Sequence, residues 1–276
     1  AGNGLRVGSA TEVTGAMGNN EVQINGLGYA SASLFLGNWA NDGNAPALVL
    51  HKSRATSVNN GDPSNIVQDD DYLGQIYFSG SDGTSDQNSI GAVISGRVDG
   101  TPGDGDMPGR LEFATTADGS PSSTTRMTID NAGAVTMPAQ PCFLARVGSN
   151  KLNVTGNGAV YTIAYDTEVF DQGADFASNT FTAPVAGRYQ FNATAQVAGF
   201  SAATYCVMQL VASNRTISLV YLSAPRTTST INGSHIVDMD AGDTAVIVFT
   251  ADGESSDVVD VYGGATESYF SGVLMA

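Results

Sequence analysis

Between residues 170 and 191 the chain reads Phe-Asp-Gln-Gly-Ala-Asp-Phe-Ala-Ser-Asn-Thr-Phe-Thr-Ala-Pro-Val-Ala-Gly-Arg-Tyr-Gln-Phe, and this stretch constrains the fold more than any other. Past Arg188, residues Tyr189, Phe191, Ala193, Ala195 and Val197 alternate with Gln190, Asn192, Thr194 and Gln196. That is the two-residue period of a strand with one face in a core and one in water. Pro184 and Gly187 precede it, one with a fixed backbone angle and one with a permissive backbone, so a tight turn feeds the strand. The aromatics at 170, 176, 181, 189 and 191 mark out a packed β core.

Composition extends this reading to the whole chain. With 33 Gly, 9 Pro and only 14% charged residues in 276, the material favours short strands joined by turns over helices. A formal charge of −16 with 11 Lys plus Arg argues against nucleic acid and against an anionic membrane, both of which need a basic surface. No apolar run is long enough to span a membrane as a helix, and the first residues lack the basic-then-apolar pattern of a signal peptide. Cys142 and Cys206 are read as two buried thiols rather than a disulfide scaffold.

Phe170, Asp171, Phe176, Phe181-Thr-Ala-Pro, Gly187, Tyr189 and Phe191 resemble the aromatic motif of the C1q-type globular head. Met239-Asp-Ala-Gly-Asp243 ahead of the apolar run 245–249 resembles that family's Leu-x-x-Gly-Asp turn and strand. Phe270-Ser-Gly-Val-Leu274 resembles its closing Phe-Ser-Gly strand. Asn179 stands where the family often has Gly, and Met239 where it has Leu. Over about the last 135 residues the resemblance implies a ten-stranded jelly roll, related to tumour necrosis factor and built as a trimer. Phe170, Phe181, Tyr189, Phe191, Phe270 and Leu274 are the expected core and trimer residues.

Upstream, residues 1–45 are rich in Gly, Asn, Ala and Ser with short apolar bursts, which three wrapped copies could order. Strands are expected at 47–50, 73–78, 92–98, 111–115, 126–129 and 134–137, separated by Gly, Asp, Asn and Pro clusters that predict a meander. Leu50-His-Lys-Ser-Arg54, Leu73-Gly-Gln-Ile-Tyr-Phe78, Met107-Pro-Gly-Arg-Leu-Glu-Phe113 and Arg126-Met-Thr-Ile-Asp130 resemble the distal β-rich regions of bacteriophage tail fibres. Met137-Pro-Ala-Gln-Pro141 breaks strand pairing and sets the joint. The expected organisation is all-β, with a β-rich trimeric shaft module at 1–138 and a C1q/TNF-like jelly-roll head at 139–276.

Residues that could carry chemistry are few. Acidic residues abound, but no pair of them is marked out as a glycosidase pair. His51 and His235 accompany no Gly-x-Ser-x-Gly elbow, and His235 is read as structural. Asp104-Gly-Asp106 opens like a calcium loop but Pro108 takes the next ligand position. Asp166, Asp171 and Asp175, or Asp252, Asp257 and Asp260, remain candidates for calcium, against solvated loop carboxylates; no other cofactor is expected. The basic His51-Lys-Ser-Arg54 is expected to pair with the acidic run at 69–71, within or between chains, the alternative being receptor contact. Asn153, Asn192, Asn214 and Asn232 head Asn-x-Ser/Thr triplets, expected to stay bare in a protein made in bacteria.

Together the two resemblances imply a structural protein of the virion, not an enzyme: a homotrimeric phage fibre expected to bind a host surface glycan or outer-membrane protein through its head. Other virion proteins would engage its N-terminal end. A capsid-attached decoration fibre and a glycan-degrading tailspike are the alternatives. Long polar connections place Tyr221, Arg226, Thr227, Asp252, Glu254 and Asp257 as the receptor-binding candidates.

Overall fold

The computed structural model describes residues 34–36, 39, 41–55, 65–83, 89–213, 215–225, 228–264 and 266–275. Among these residues every strand-forming segment is antiparallel β, no α-helix occurs, and the chain divides into two compact units, 1–137 and 138–276. In the first, β1 (Tyr72–Gly80), β2 (Ser89–Val98), β3 (Gly109–Thr116), β4 (Ser123–Ile129) and β5 (Val135–Thr136) form one sheet in chain order. This is the meander that the turn clusters predict. At the β4–β5 turn, the Asp130 carboxylate accepts the Ala132 and Ala134 amides, and Gly133 takes a φ of 83°, which favours glycine.

Register sorts the sheet into two unlike faces. Ile76 lies opposite Ile94, Ile94 opposite Phe113, and Phe113 opposite Met127, so one face is apolar from β1 to β4. The other face carries Gln75, Ser95 and Glu112 in register. There Arg110 gathers three carboxylates, donating to Glu112 at 2.7 Å, Asp99 at 3.1 Å and Asp70 at 2.5 Å. Arg97 stacks over the Tyr72 ring at 4.4 Å. The expected pairing of the basic knot with the acidic run is found within one chain: Arg54 donates two parallel bonds to Asp71 at 2.6 and 2.7 Å. That grip holds the Asp71 carboxyl well below the usual range. The 47–50 stretch, by contrast, is not a strand. Leu50 instead lies over Gly74, where an added Cβ would come within 2.5 Å of the Leu50 Cβ, so packing rather than ladder pairing holds it.

The second unit contains β6 (Cys142–Arg146), β7 (Lys151–Thr155), β8 (Val160–Thr162), β9 (Thr167–Asp171), β10 (Phe176–Ala177), β11 (Thr180–Thr182), β12 (Gly187–Ala198), β13 (Tyr205–Ala212), β14 (Arg215–Ser223), β15 (Ser229–Met239), β16 (Thr244–Asp252), β17 (Val259–Tyr262) and β18 (Tyr269–Leu274). One sheet runs β10-β11-β16-β13-β14, with β8 also on β16; the other runs β7-β17-β12-β18-β6-β9, with β15 also on β12. Among the described residues this unit has thirteen strand segments, short pieces such as β8 and β10 being set off by irregular backbone.

Between the sheets lies the aromatic core. Phe143 stacks on Phe176 at 4.6 Å and meets the Phe270 ring edge-on at 5.1 Å, and Phe181 touches both Tyr189 and Phe191. The alternation of β12 is the one the sequence predicts, with Tyr189, Phe191, Ala193, Ala195 and Val197 buried. Tyr189 satisfies its hydroxyl by donating to the Val185 carbonyl at 2.7 Å, across the turn that opens the strand. The turn at 240–243 explains its Gly-Asp pair: Gly242 has a φ of 91°, and the Asp243 carboxylate accepts the Asp240 amide. Asn179 adopts a φ of 65°, the left-handed conformation that a glycine would enter without strain and that Asn tolerates better than most residues.

Candidate assembly and binding surfaces

Asp171 shows how the aromatic motif works. Its carboxylate accepts the amides of Asp175 at 3.1 Å and Phe176 at 2.9 Å, closing a loop that turns the Phe176 ring into the core. Phe170, expected in the core, is not there: it stands 48% exposed on β9, an edge strand with only one neighbour. Leu274 is intermediate, lying opposite Tyr189 at the rim of the core. Of the proposed calcium ligands, Asp166 accepts Lys151 at 2.7 Å and the Gly148 amide at 2.8 Å, away from the Asp171 loop. Asp175 has its pKa raised by burial and by the nearby Asp171. Among the described residues no three acidic, histidine or cysteine side chains gather as a metal site.

Phe170 belongs to a different arrangement. Following the ladder from the edge, Phe170 lies opposite Leu144, Leu144 opposite Ser271, Ser271 opposite Asn192, and Asn192 opposite Ser234. The next row runs Cys142, Val273, Gln190 and Ile236. Directly opposed residues share a face, and these alternate with the buried Phe143, Phe270 and Phe191, so both rows look away from the core. Neither row contains a charged side chain, although the chain carries −16. Ile236 is 52% exposed at the far end. Apolar side chains and small uncharged polar ones without like-charge repulsion are what a self-associating face requires.

The second sheet offers a different surface. Tyr205 and Tyr221 stack with ring centroids 5.5 Å apart and planes within 11° of parallel. Tyr221 is 62% exposed, and Asp252 lies directly opposite Tyr205 on β16. An exposed aromatic pair flanked by a carboxylate can contact a planar apolar ligand face and accept its hydrogen bonds together. So the structure joins two of the binding candidates, Tyr221 and Asp252, through Tyr205, whose role sequence reasoning missed; its alternation with buried Cys206 was the available signal. Arg226 and Thr227 lie outside the described residues. His235 is exposed on β15, with no part in the core.

Glu254 is corrected from a ligand contact to a structural brace. It is buried, and its carboxylate accepts the amides of Ser201, Ala202 and Ala203 at 2.6 to 2.8 Å and the Ser201 hydroxyl at 2.6 Å. Four donors favour the ionised form and hold its pKa down to about 2 from the ordinary 4.5. Asp257 is partly buried. Because the folded-state pKa is depressed, the brace is complete above about pH 4.5 and is lost as pH falls through about 2. Hydrogen exchange at the amides of residues 201–203 should therefore stay protected at pH 4 and accelerate only below pH 3, and in Glu254→Ala it should be fast at every pH. Protection lost already at pH 4 would show that the carboxylate is not held.

Residues 145–275 match the C1q domain. The globular domain of zebrafish complement 1qA protein is 18% identical, with 49% of this chain and 98% of that one covered and a TM-score of 0.35. Murine APRIL, in a crystal structure at pH 8.5, is 9% identical, with 49% and 99% covered and a TM-score of 0.36. No curated protein matches the chain. The C1q match thus falls within the second unit, whose two antiparallel sheets enclose one core in the manner of a jelly roll.

Proposed function

We propose that this chain is a homotrimeric fibre protein of a bacteriophage virion whose C1q-type head binds the host cell surface. The observation that carries the assembly is the charge-free field of Phe170, Leu144, Val273 and Ile236 on a domain of a type that commonly trimerises. The fibre setting is supported by the tail-fibre resemblance of residues 50–137 and by the β meander they form. In a trimer each head presents the Tyr205–Tyr221 pair once, so three weak contacts act together on a repetitive surface such as a glycan coat. Specificity then rests on exposed rings and loops, not on an enclosed pocket.

Assembly and binding are separately testable. Light scattering of the intact protein should give the mass of three chains, and Leu144→Asp should lower it to one while circular dichroism keeps its β signal. Bacterial envelope fractions captured by the intact trimer should fall at least about tenfold with Tyr205→Ala and Tyr221→Ala combined. Undiminished capture by that trimeric double variant would move the binding site off this face, and a one-chain mass for the intact protein would end the avidity mechanism.

A further inference from the structure

The described residues of the first unit enclose almost no interior of their own. Among the described residues before 138, only Val67, Val93 and Val98 are buried hydrophobics, whereas the second unit holds a continuous aromatic core. A single antiparallel sheet gains its stability by covering one face. Here the apolar face is open: Ile76 is 44% exposed, Phe78 53% and Leu111 37%. Leu48 and Leu50 reach only one end of it and leave an apolar groove of about 280 Å³ against Ile76, Ile94 and Leu111.

We infer that this face is a self-association surface, covered in the assembled protein by the same face of other copies of the chain. Three features select that occupant. The rows Ile76–Ile94–Phe113–Met127 and Gly74–Gly96–Leu111–Ile129 contain no charge, so two copies can meet there without burying an unpaired ion, in a chain whose −16 repels its copies elsewhere. The opposite face carries, beside the row Tyr77–Val93–Ala114, Arg110 and its three carboxylates, so covering that face would bury a cluster of charges. The copies are also supplied at high local concentration by the C1q-type unit, so this inference rests on the homotrimer proposed above.

The test uses the full chain with Cys142→Ser, adding Ile76→Cys, Leu111→Cys or, as an exposed reference, Ser120→Cys. Maleimide should label the thiols at 76 and 111 at least about tenfold more slowly than the one at 120, although a single chain exposes them. Adding Leu144→Asp should bring the mass to one chain and make both thiols fast; three chains with protection intact would move the head contact away from Leu144 and leave this surface standing. Fast labelling in a protein of three-chain mass overturns it and leaves the head trimer standing. Protection in a protein of one-chain mass means that the chain covers its own face, and also overturns it. Unmodified protein of one-chain mass fails both readings together.

Discussion

Deletion of residues 270–276 is expected to leave no folded head. β18 lies between β12 and β6, so its removal opens the sheet at its centre and strips partners from both neighbours. Phe270 is fully buried against Phe143, Tyr165, Phe176 and Phe191. Its truncation to Ala alone should cost about 3 to 5 kcal/mol. Against a total stability of about 5 to 15 kcal/mol, that loss added to orphaned backbone groups is more than the unit can absorb. The chain end is also anchored: the Leu274 amide donates to Pro141, and the Gln140 side chain donates to the Leu274 carbonyl. Met275→Ala should act as the contrast, since that side chain is 54% exposed, and should change stability by less than about 0.5 kcal/mol. Size-exclusion chromatography and calorimetry decide it. A deleted chain that elutes and melts like the intact one would show that the strand is peripheral.

Phe270 was legible as a core residue through the resemblance of its segment to a closing Phe-Ser-Gly strand, and it is fully buried. β12 was legible because its alternation is unbroken over five core positions. The orientation of Phe170 was not. β9 lies at the edge of its sheet, and a register shift leaves Val169 without a partner between Glu168 and Phe170, so the simple alternation breaks and both Val169 and Phe170 are exposed. Glu254 was hidden for another reason. A polar residue in a polar loop carries no local sign of burial, and its role depends on amides at 201–203, about fifty positions away. Arg54–Asp71 was readable because one basic cluster in an acidic chain has few alternatives to the nearest acidic run. The candidate binding face was half legible: Tyr221 and Asp252 were among the expected contacts, but Tyr205, which stacks on Tyr221 and lies opposite Asp252, was not.

The glycine of the closing Phe-Ser-Gly strand should be among the least replaceable positions in the chain. Gly272 does not have a positive φ, so its backbone would accept any residue, and in a strand a side chain ordinarily gains roughly 0.5 to 1 kcal/mol over glycine. Packing reverses the sign. A Cβ at Gly272 would sit 2.5 Å from Phe143 Cε1 and 2.8 Å from two atoms of the Phe191 ring, and both rings are buried among other aromatics. Neither can swing away as a long flexible side chain would, so the sheets must separate locally or the rings leave their rotamers. Gly272→Val should therefore cost roughly 3 kcal/mol or more, at the upper end of overpacking, and Gly272→Ala somewhat less. Gly242 provides the opposite case, with a φ of 91° and nothing within 4 Å of an added Cβ. Its replacement by Ala meets only the left-handed backbone cost of about 1 to 2 kcal/mol. Urea midpoints for Gly272→Val, Gly272→Ala and Gly242→Ala should thus fall in that order from lowest to highest. A Gly272→Val protein as stable as the parent would mean that Phe143 and Phe191 are not packed over the strand, and that the closing motif is kept glycine for some reason other than space.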